Sequence, residues 1–392
     1  MPETKNTTTH TQQYTRHNRV KLVRGGKEYF TLLHKLIRQA KYSIHLQVYI
    51  FDEDETGKEI ADALIEAAAR KVDVYLLIDG YASAGLSAVF RKRFTDSGIH
   101  FRMFKPLLKT SGFYFGRRMH RKMTIVDCAW CLVGGINISN RYNDVGDTMA
   151  WLDWALYAEG EIAADLLKIS LQFWTRSESS RQKLLKLQQR LHEISGICLV
   201  RARANDWVKS KTQITRSYSD MIKHAKSHIT IMSSYFIPGE LIRKKLERAA
   251  RRKVKIQLIL AGNSDIRISK YAERYIYRWA LRKGIEIFEY QPTVLHGKIA
   301  TYDDLWTTAG SYNVNNISAF ASLELNLDVQ DAGFAQVVRH QLNDIIKKDC
   351  LRITPEDYRT KYNAFNRLLQ WSAYNTVRIL FFLFTFYFRQ RR

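Results

Sequence analysis

The chain has 392 residues, with 62 Lys and Arg against 38 Asp and Glu, a formal charge of +24. Apolar residues at 46% and aromatics at 12% exclude a disordered or fibrous chain, and the length suffices for two or three domains with real cores. So large a positive excess predicts a polyanionic partner, either nucleic acid or the anionic face of a membrane.

Residues 1–20 are polar and lack the apolar core of a signal peptide or an N-terminal anchor. An amphipathic helix is expected over Lys27 to Gln39, leading into an apolar strand in AKYSIHLQVYIF, Ala40 to Phe51. After another helix, AAARKVDVYLLIDG (Ala67 to Gly80) reads as a β-branched strand ending in glycine. A further helix and a short strand at GIHFRMF, from Gly98, follow. The connection from Ser177 to Val200 is charged and reads as largely helical. The same order then returns: a helix over Ser217 to Ala225, AKSHITIMSSYF (Ala225 to Phe236), AARRKVKIQLILAG (Ala249 to Gly262) and GIEIFEY from Gly284. The offsets between matching segments are 182, 185 and 186. A unit this long is a duplicated domain rather than a solenoid repeat. Strands alternating with helices predict an α/β fold, each half a mostly parallel sheet covered on both faces. The expected organisation is a polar tail (1–20), a first domain (21–195), a second (196–350) and a C-terminal segment (351–392). Only five prolines occur and no Gly/Ser linker separates the halves, so they should pack tightly together.

After its third strand each half carries one constellation. The first is His120, Lys122, Asp127, Gly134, Gly135 and Asn137; the second is His296, Lys298, Asp303, Gly310, Ser311 and Asn313. Spacing is identical in both. Positions i and i+2 of a strand project from one face, so His and Lys should point together, and the glycine turn returns the Asn to the same pocket. These are the parts of a phosphodiester transfer. An imidazole near neutrality is a competent nucleophile, while lysine and asparagine can hold non-bridging oxygens as charge builds up. One half supplies a single histidine; two halves together supply a nucleophile and an acid for the leaving alcohol.

With these motifs the sequence resembles the phospholipase D superfamily, whose HxKxxxxD(x)6G(G/S)xN signature it carries twice, from about Val20 to Lys348. Within it the RRMHRKMTIVD run, the early YIF followed by an acidic cluster and Gly57, and the late SLELNLDV are most similar to the short, B-type bacterial cardiolipin synthases. The resemblance implies two α/β/α sandwiches related by a pseudo-two-fold, sharing one active site. It also implies a covalent phosphohistidine and no metal or other cofactor. His120 would be the nucleophile and His296 the acid and base, an order that spacing alone leaves open. Lys122, Lys298, Asn137 and Asn313 would hold phosphate, with Ser311 adding a hydroxyl from one half only. Asp127 and Asp303 complete the catalytic motif, though in this family they more often tie a loop. An acid downstream would orient each histidine: Asp153 in WLDWALYAEG for His120, and Glu324 in SLELNLDV for His296.

Weaker signals receive plainer readings. Four cysteines (Cys128, Cys131, Cys198 and Cys350) are too few for a disulfide framework, which suggests a reducing, intracellular setting. Cys128 and Cys131 have CxxC spacing but no second pair, so they read as strand-end core residues. His224 and His228 lack a third ligand. Glu247 to Lys255 reads as a solvated basic face. The insert Lys105 to Met119 sets Phe113, Tyr114 and Phe115 beside Lys109, Arg117 and Arg118 and suits a membrane-facing lip.

The tail decides between partners. From Ile379 to Phe388 nine of ten residues are apolar, followed by Arg389, Arg391 and Arg392. Ten helical residues span roughly 15 Å, half of a hydrocarbon core, so an interfacial or shallow re-entrant helix is expected rather than a crossing. A nuclease has no need of such a run. The expected partners are therefore an anionic membrane and phospholipid substrates rather than nucleic acid, with peripheral placement on the cytoplasmic side of the inner membrane. Phospholipid hydrolysis and a nuclease of the same superfamily are the alternatives.

Overall fold

In the computed structural model, the structure describes residues 13–104, 118–175, 196–206, 211–315, 322–361 and 364–389, with side chains to Leu380 in the last helix. The basic connection before residue 196 and the aromatic insert before Arg118 lie almost wholly outside them.

The first half forms a seven-stranded sheet: β1 (Asn18–Arg24), β2 (Ser43–Val48), β3 (Asp73–Asp79), β4 (His100–Phe104), β5 (Lys122–Val126), β6 (Trp130–Gly134) and β7 (Trp154–Gly160). Their spatial order is β1-β7-β6-β5-β2-β3-β4. The second half builds β8 (Leu199–Asp206), β9 (Lys211–Thr212), β10 (His228–Ser233), β11 (Lys255–Ala261), β12 (Glu286–Tyr290), β13 (Ile299–Tyr302), β14 (Trp306–Gly310), β15 (Glu324–Gln330) and β16 (Cys350–Ile353). Its order contains β8-β15-β14-β13-β10-β11-β12, the first-half order repeated, with β9 and β16 added at the edges. The duplication seen in the sequence is thus a duplication of topology.

Helices α1 (Lys27–Gln39), α2 (Glu55–Ala69) and α3 (Ala88–Asp96) cover the outer face of the first sheet. The helix Ile162–Leu171 (α4) follows β7. The second half has α5 (Gln213–His224), α6 (Glu240–Arg251), α7 (Arg267–Arg282), α8 (Ala332–Asp349), α9 (Pro355–Lys361) and α10 (Ala364–Arg389). α1 takes the bounds its periodicity predicts, whereas α5 starts at Gln213 rather than near Ser217. Leu166, Leu167 and Leu171 of α4 and Val338 and Leu342 of α8 join Met123, Val133, Leu156, Ile299, Ala309 and Leu327 in one core that spans both halves. The halves are therefore two faces of one apolar interior, as the missing linker predicts.

The sheets are mixed rather than mostly parallel. Only β2–β3 and β3–β4 of the first sheet are parallel; β2–β5, β5–β6, β6–β7 and β1–β7 are antiparallel. Antiparallel neighbours need only a tight turn, not a helical crossover. Asp127 and Cys128 supply that turn with φ of 52° each, and Asp303 and Asp304 repeat it at 49° and 54°. Non-glycine residues seldom adopt this left-handed region, although Asp is among those that do so most readily.

Candidate active site

His120 and His296 lie just before β5 and β13, each in a segment that crosses to the opposite half. Arg118 pairs in parallel with Ser322, and Leu323 N–H donates to the Arg118 carbonyl at 2.8 Å. Symmetrically, Leu152 pairs with Leu295, and the N–H groups of His296 and Gly297 both donate to the Leu152 carbonyl. These two bridges seat each histidine beside the acid of the other half.

The His–acid pairing is consequently crosswise, which corrects the same-half assignment drawn from chain distance. His120 Nδ1 lies 3.0 Å from Glu324 Oε2, and His296 Nδ1 lies 2.6 Å from Asp153 Oδ2. Both acids are fully buried. A carboxylate on Nδ1 sets the tautomer and leaves Nε2 for chemistry.

Ser311 is also corrected. Its hydroxyl donates to Glu324 Oε2 and accepts from Leu325 N–H, so it braces the acid instead of facing phosphate. Ser322 donates to the other Glu324 oxygen at 2.7 Å. The equivalent Gly135 has no such freedom, because a Cβ there would lie 2.4 Å from Asp153 Oδ1. The shorter acid sits close against its glycine; the longer one leaves room for a serine.

The motif aspartates stand apart from the imidazoles. Asp127 accepts from the N–H groups of Lys41, Tyr42 and Ser43, each at 2.8 Å. Asp303 accepts from Lys226, Ser227 and His228 N–H and from the Ser227 hydroxyl. They tie the positive-φ turns to the start of β2 and β10, at the strand ends remote from the histidines. Their place in the catalytic motif is therefore corrected to a structural one, the loop tie that the resemblance also implies for them.

Both asparagines have a fixed carbonyl. Asn137 Oδ1 accepts from Ile50 N–H at 3.0 Å, and Asn313 Oδ1 accepts from the Ser234 hydroxyl at 2.7 Å. Each amide is thereby oriented from the end of β2 or β10. The loop after Asn137 is pinned again where Asp54, the N-cap of α2, accepts from Asn140 N–H at 2.6 Å and Gly57 N–H at 3.0 Å. Gly57 is required there, since a Cβ would overlap the Asp52 carbonyl at 1.8 Å.

The lysines fold back onto the histidine backbone. Lys122 Nζ donates to the His120 carbonyl at 2.7 Å, and Lys298 Nζ donates to the His296 carbonyl. Lys298 Nζ also lies 2.9 Å from His296 Nδ1. One nitrogen cannot donate to Asp153 while accepting from an ammonium; the shorter Asp153 contact takes it.

Burial dominates the electrostatics. It depresses Lys122 to about 7 and Lys298 to about 8, with Lys298 adding to the effect on Lys122. Burial, joined by the charges of Lys298, Lys122 and His120, holds His296 well below the ordinary imidazole value. His120 is also lowered by burial, against an opposing pull from Glu324. The two acids diverge. Burial raises Asp153 to about 6, whereas for Glu324 the His120, Lys122 and Ser311 contacts outweigh burial and keep it low. The two cross-half bridges, the crosswise His–acid contacts and the lysine bonds to the histidine carbonyls gather these six groups at the junction of the halves.

Several neighbours escaped the sequence reading. The Tyr49 ring meets His120 edge-on at 4.8 Å and lies 5.1 Å from Lys122 Nζ; Tyr142 meets His296 edge-on at 5.2 Å. Asp79 accepts from Met119 N–H at 2.9 Å and lies 3.5 Å from Arg118, steadying the segment ahead of His120. Asp265 accepts from the Tyr235 hydroxyl at 2.6 Å and pulls on both His296 and Lys298. Cys128 and Cys131 are buried, their thiols pushed up to about 12, as strand-end core residues are.

Two mixed α/β halves of one topology, with a His–Lys–Asn set from each converging at their junction, define a phosphodiester-transferring enzyme of the phospholipase D superfamily. Comparison with known proteins agrees. The family model described as cardiolipin synthase, PLD-like domain, matches residues 33–165 and 218–346. The chain is 33% identical to cardiolipin synthase B of Escherichia coli over 341 residues, covering 86% of this chain and 82% of that one. It is 30% identical to cardiolipin synthase A of Pseudomonas syringae over 335 residues, 83% of this chain and 68% of that one. The crystal structure of phosphatidylserine synthase from Haemophilus influenzae shares the fold, with a TM-score of 0.73 at 14% identity over 95% of this chain and 96% of that one. The chain belongs to the cardiolipin synthase, PLD-like domain family.

Proposed function

We propose that the chain transfers a phosphatidyl group between two phosphatidylglycerol molecules, giving cardiolipin and glycerol, at the site shared by its halves. The observation that carries this reading is the crosswise pair of His–acid dyads: neither half alone holds a complete one. His120 Nε2 attacks the donor phosphorus, and the P–O bond to the leaving glycerol breaks. The His296–Asp153 pair supplies the proton to that glycerol oxygen. An ionised Glu324 on Nδ1 stabilises the cationic phosphohistidine. Lys122, Lys298 and the amides of Asn137 and Asn313 hold the non-bridging oxygens as negative charge grows. The acceptor hydroxyl then gives its proton to His296, its oxygen attacks phosphorus, the P–N bond breaks and His120 is restored.

The asymmetry of the acids supports this order. A low-pKa acid suits the histidine that must carry positive charge on phosphorylation. A pair with an acid near 6 suits proton exchange close to neutrality.

The chain is read as working peripherally on the cytoplasmic side of the inner membrane. The +24 charge suits an anionic surface and the apolar run Ile379 to Phe388 favours lipid over nucleic acid, while no helix among the described residues is long and apolar enough to cross a bilayer. The decisive experiment incubates purified protein with phosphatidylglycerol vesicles, with an oligonucleotide alongside, and separates the products. Cardiolipin plus glycerol is expected. Phosphatidic acid alone would make the enzyme a hydrolase, and oligonucleotide cleavage alone would overturn the lipid reading.

A further inference from the structure

α10 is docked for part of its length. Gln370, Tyr374 and Val377 are buried, and Tyr374 stacks on Tyr275 of α7 at 4.6 Å. Gln370 accepts from the Tyr358 hydroxyl at 3.1 Å, and the charges of Arg367 and Arg278 both act on Tyr358. Further along, Val377 shares a cluster with Ala272, Ile276 and Ile237. Rising positions on α10 therefore meet falling positions on α7: the helices are antiparallel. Arg378 stands over the Tyr374 ring and within electrostatic reach of Glu240, at the start of α6.

This direction carries the apolar end of α10 toward the site. α7 begins at Arg267, two residues after Asp265, whose carboxylate accepts from the Tyr235 hydroxyl at 2.6 Å, next to Ser234, whose hydroxyl donates to Asn313 Oδ1 at 2.7 Å. With Tyr374 on Tyr275, α10 overruns the start of α7 about eight residues later, and its backbone remains helical to Arg389. Around this end Leu241, Ile266, Ile268, Tyr271, Ile379 and Leu380 are all exposed. Lys244, Arg267 and Arg378 flank them in the open.

We infer that this patch is a bilayer-docking face, with the end of α10 inserted among anionic lipids and the rim of the catalytic site held against the head groups. The inference rests on the lipid reading above and adds the orientation. A second copy is the poorer occupant, because two cation-flanked patches on chains of +24 repel, whereas anionic head groups attract both. The sequence beyond Leu380 continues apolar to Phe388 and ends in arginines, the pattern of a helix seated at an interface. Rigid docking on α7 gives the inserted end a fixed relation to the site, so a substrate lipid can reach His120 and His296 without leaving the bilayer.

The test uses the full chain with vesicles of phosphatidylglycerol and phosphatidylcholine. Ile266→Ser/Ile268→Ser/Ile379→Ser/Leu380→Ser should cut flotation and bilayer activity by about ten-fold or more, while turnover of a soluble short-chain phosphodiester stays within about two-fold. Wild-type protein that turns over neither substrate would count against the catalytic reading instead. Independently of activity, a polarity-sensitive fluorophore is placed at Ile268→Cys, at Leu380→Cys, and at Leu305→Cys in the turn at the opposite strand ends, where exposed Leu305 follows Asp303. The first two labels should shift to the blue on adding vesicles and the third should not. Equal shifts at all three, wild-type flotation of the four-site variant, or a lipid-free shift that grows with protein concentration (a second copy on the patch) would each overturn the inference.

Discussion

Glu324 of the second half accepts the Nδ1 proton of His120 of the first at 3.0 Å, while Asp153 of the first half serves His296 of the second. Each dyad is thus built across the junction, so any loosening of the two halves dismantles both at once. This makes the shared core more than a support: the contact of Leu152 with Leu295, and of Arg118 with Ser322, is the element that closes the site.

The dyads can be distinguished by their pH limbs. In the proposed mechanism His120 must be neutral to attack, so its pKa sets the acid limb; His296 must carry a proton to donate, so its pair sets the basic limb. Glu324→Gln removes an anion that raises the His120 pKa, and should move the acid limb to lower pH. Asp153→Asn should move the basic limb to lower pH. Each should reduce kcat by about 100-fold or more. Profiles of kcat on a soluble phosphodiester are the check; the same limb moving in both variants would contradict the roles assigned to the histidines.

His120→Ala and His296→Ala should each remove nearly all turnover, because the proposed mechanism uses both histidines in one cycle. A variant retaining about half the activity would indicate two independent sites. A slowed variant such as His296→Asn should accumulate a labelled phosphoprotein that is acid-labile and base-stable, with the label on His120. Peptide mapping to another residue would reverse the assignment.

The legibility of this protein in its sequence follows from what repeats. The matched spacing of His120–Asn137 and His296–Asn313 picks out groups that converge, because each half needs the same strand–turn–strand to present them. Segment order likewise predicts two halves of equal topology. The crosswise dyads are not readable, since chain distance runs along one half while the Arg118–Ser322 and Leu152–Leu295 bridges run between them. Tyr49 was hidden for a related reason: its equivalent in the repeat, three residues before the shared strand-end phenylalanine's successor position in AKSHITIMSSYF, is the serine Ser234, so no matched pair marks it. The mixed sheet depends on positive-φ turns at Asp127 and Asp303, which leave little trace in hydrophobic patterning.

The buried lysines should oppose stability. With native values of about 7 and about 8 against about 10.4 in an unfolded chain, the unfolded state binds more protons between those limits. Stability therefore rises with pH across that window, and the full penalty is present below it. Lys298→Met should raise the melting temperature at pH 7 by about 2–4 °C while lowering activity by about 1000-fold. Calorimetry from pH 7 to 9 should show a climb for the wild type that flattens in Lys122→Met/Lys298→Met. A lower melting temperature in Lys298→Met would mean that the ammonium groups tie the junction together.

The difference between Gly135 and Ser311 offers the sharpest test of the site's packing. Their N–H groups donate to equivalent carbonyls, of Trp154 and Leu325, so the two positions correspond. A Cβ at Gly135 would meet Asp153 Oδ1 at 2.4 Å and Oδ2 at 2.6 Å, too close to coexist with the carboxylate on His296. Gly135→Ser should displace that acid and cost about 100-fold in kcat. Ser311→Ala creates no clash; it removes one donor to Glu324, lets that acid's pKa rise, and should cost only about three- to ten-fold. Combining Gly135→Ser with Asp153→Glu copies the second-half arrangement into the first. The pair should recover activity relative to Gly135→Ser alone, a coupling that a double-mutant cycle measures directly. Additive losses would show that the glycine answers to some demand other than the room taken by Asp153.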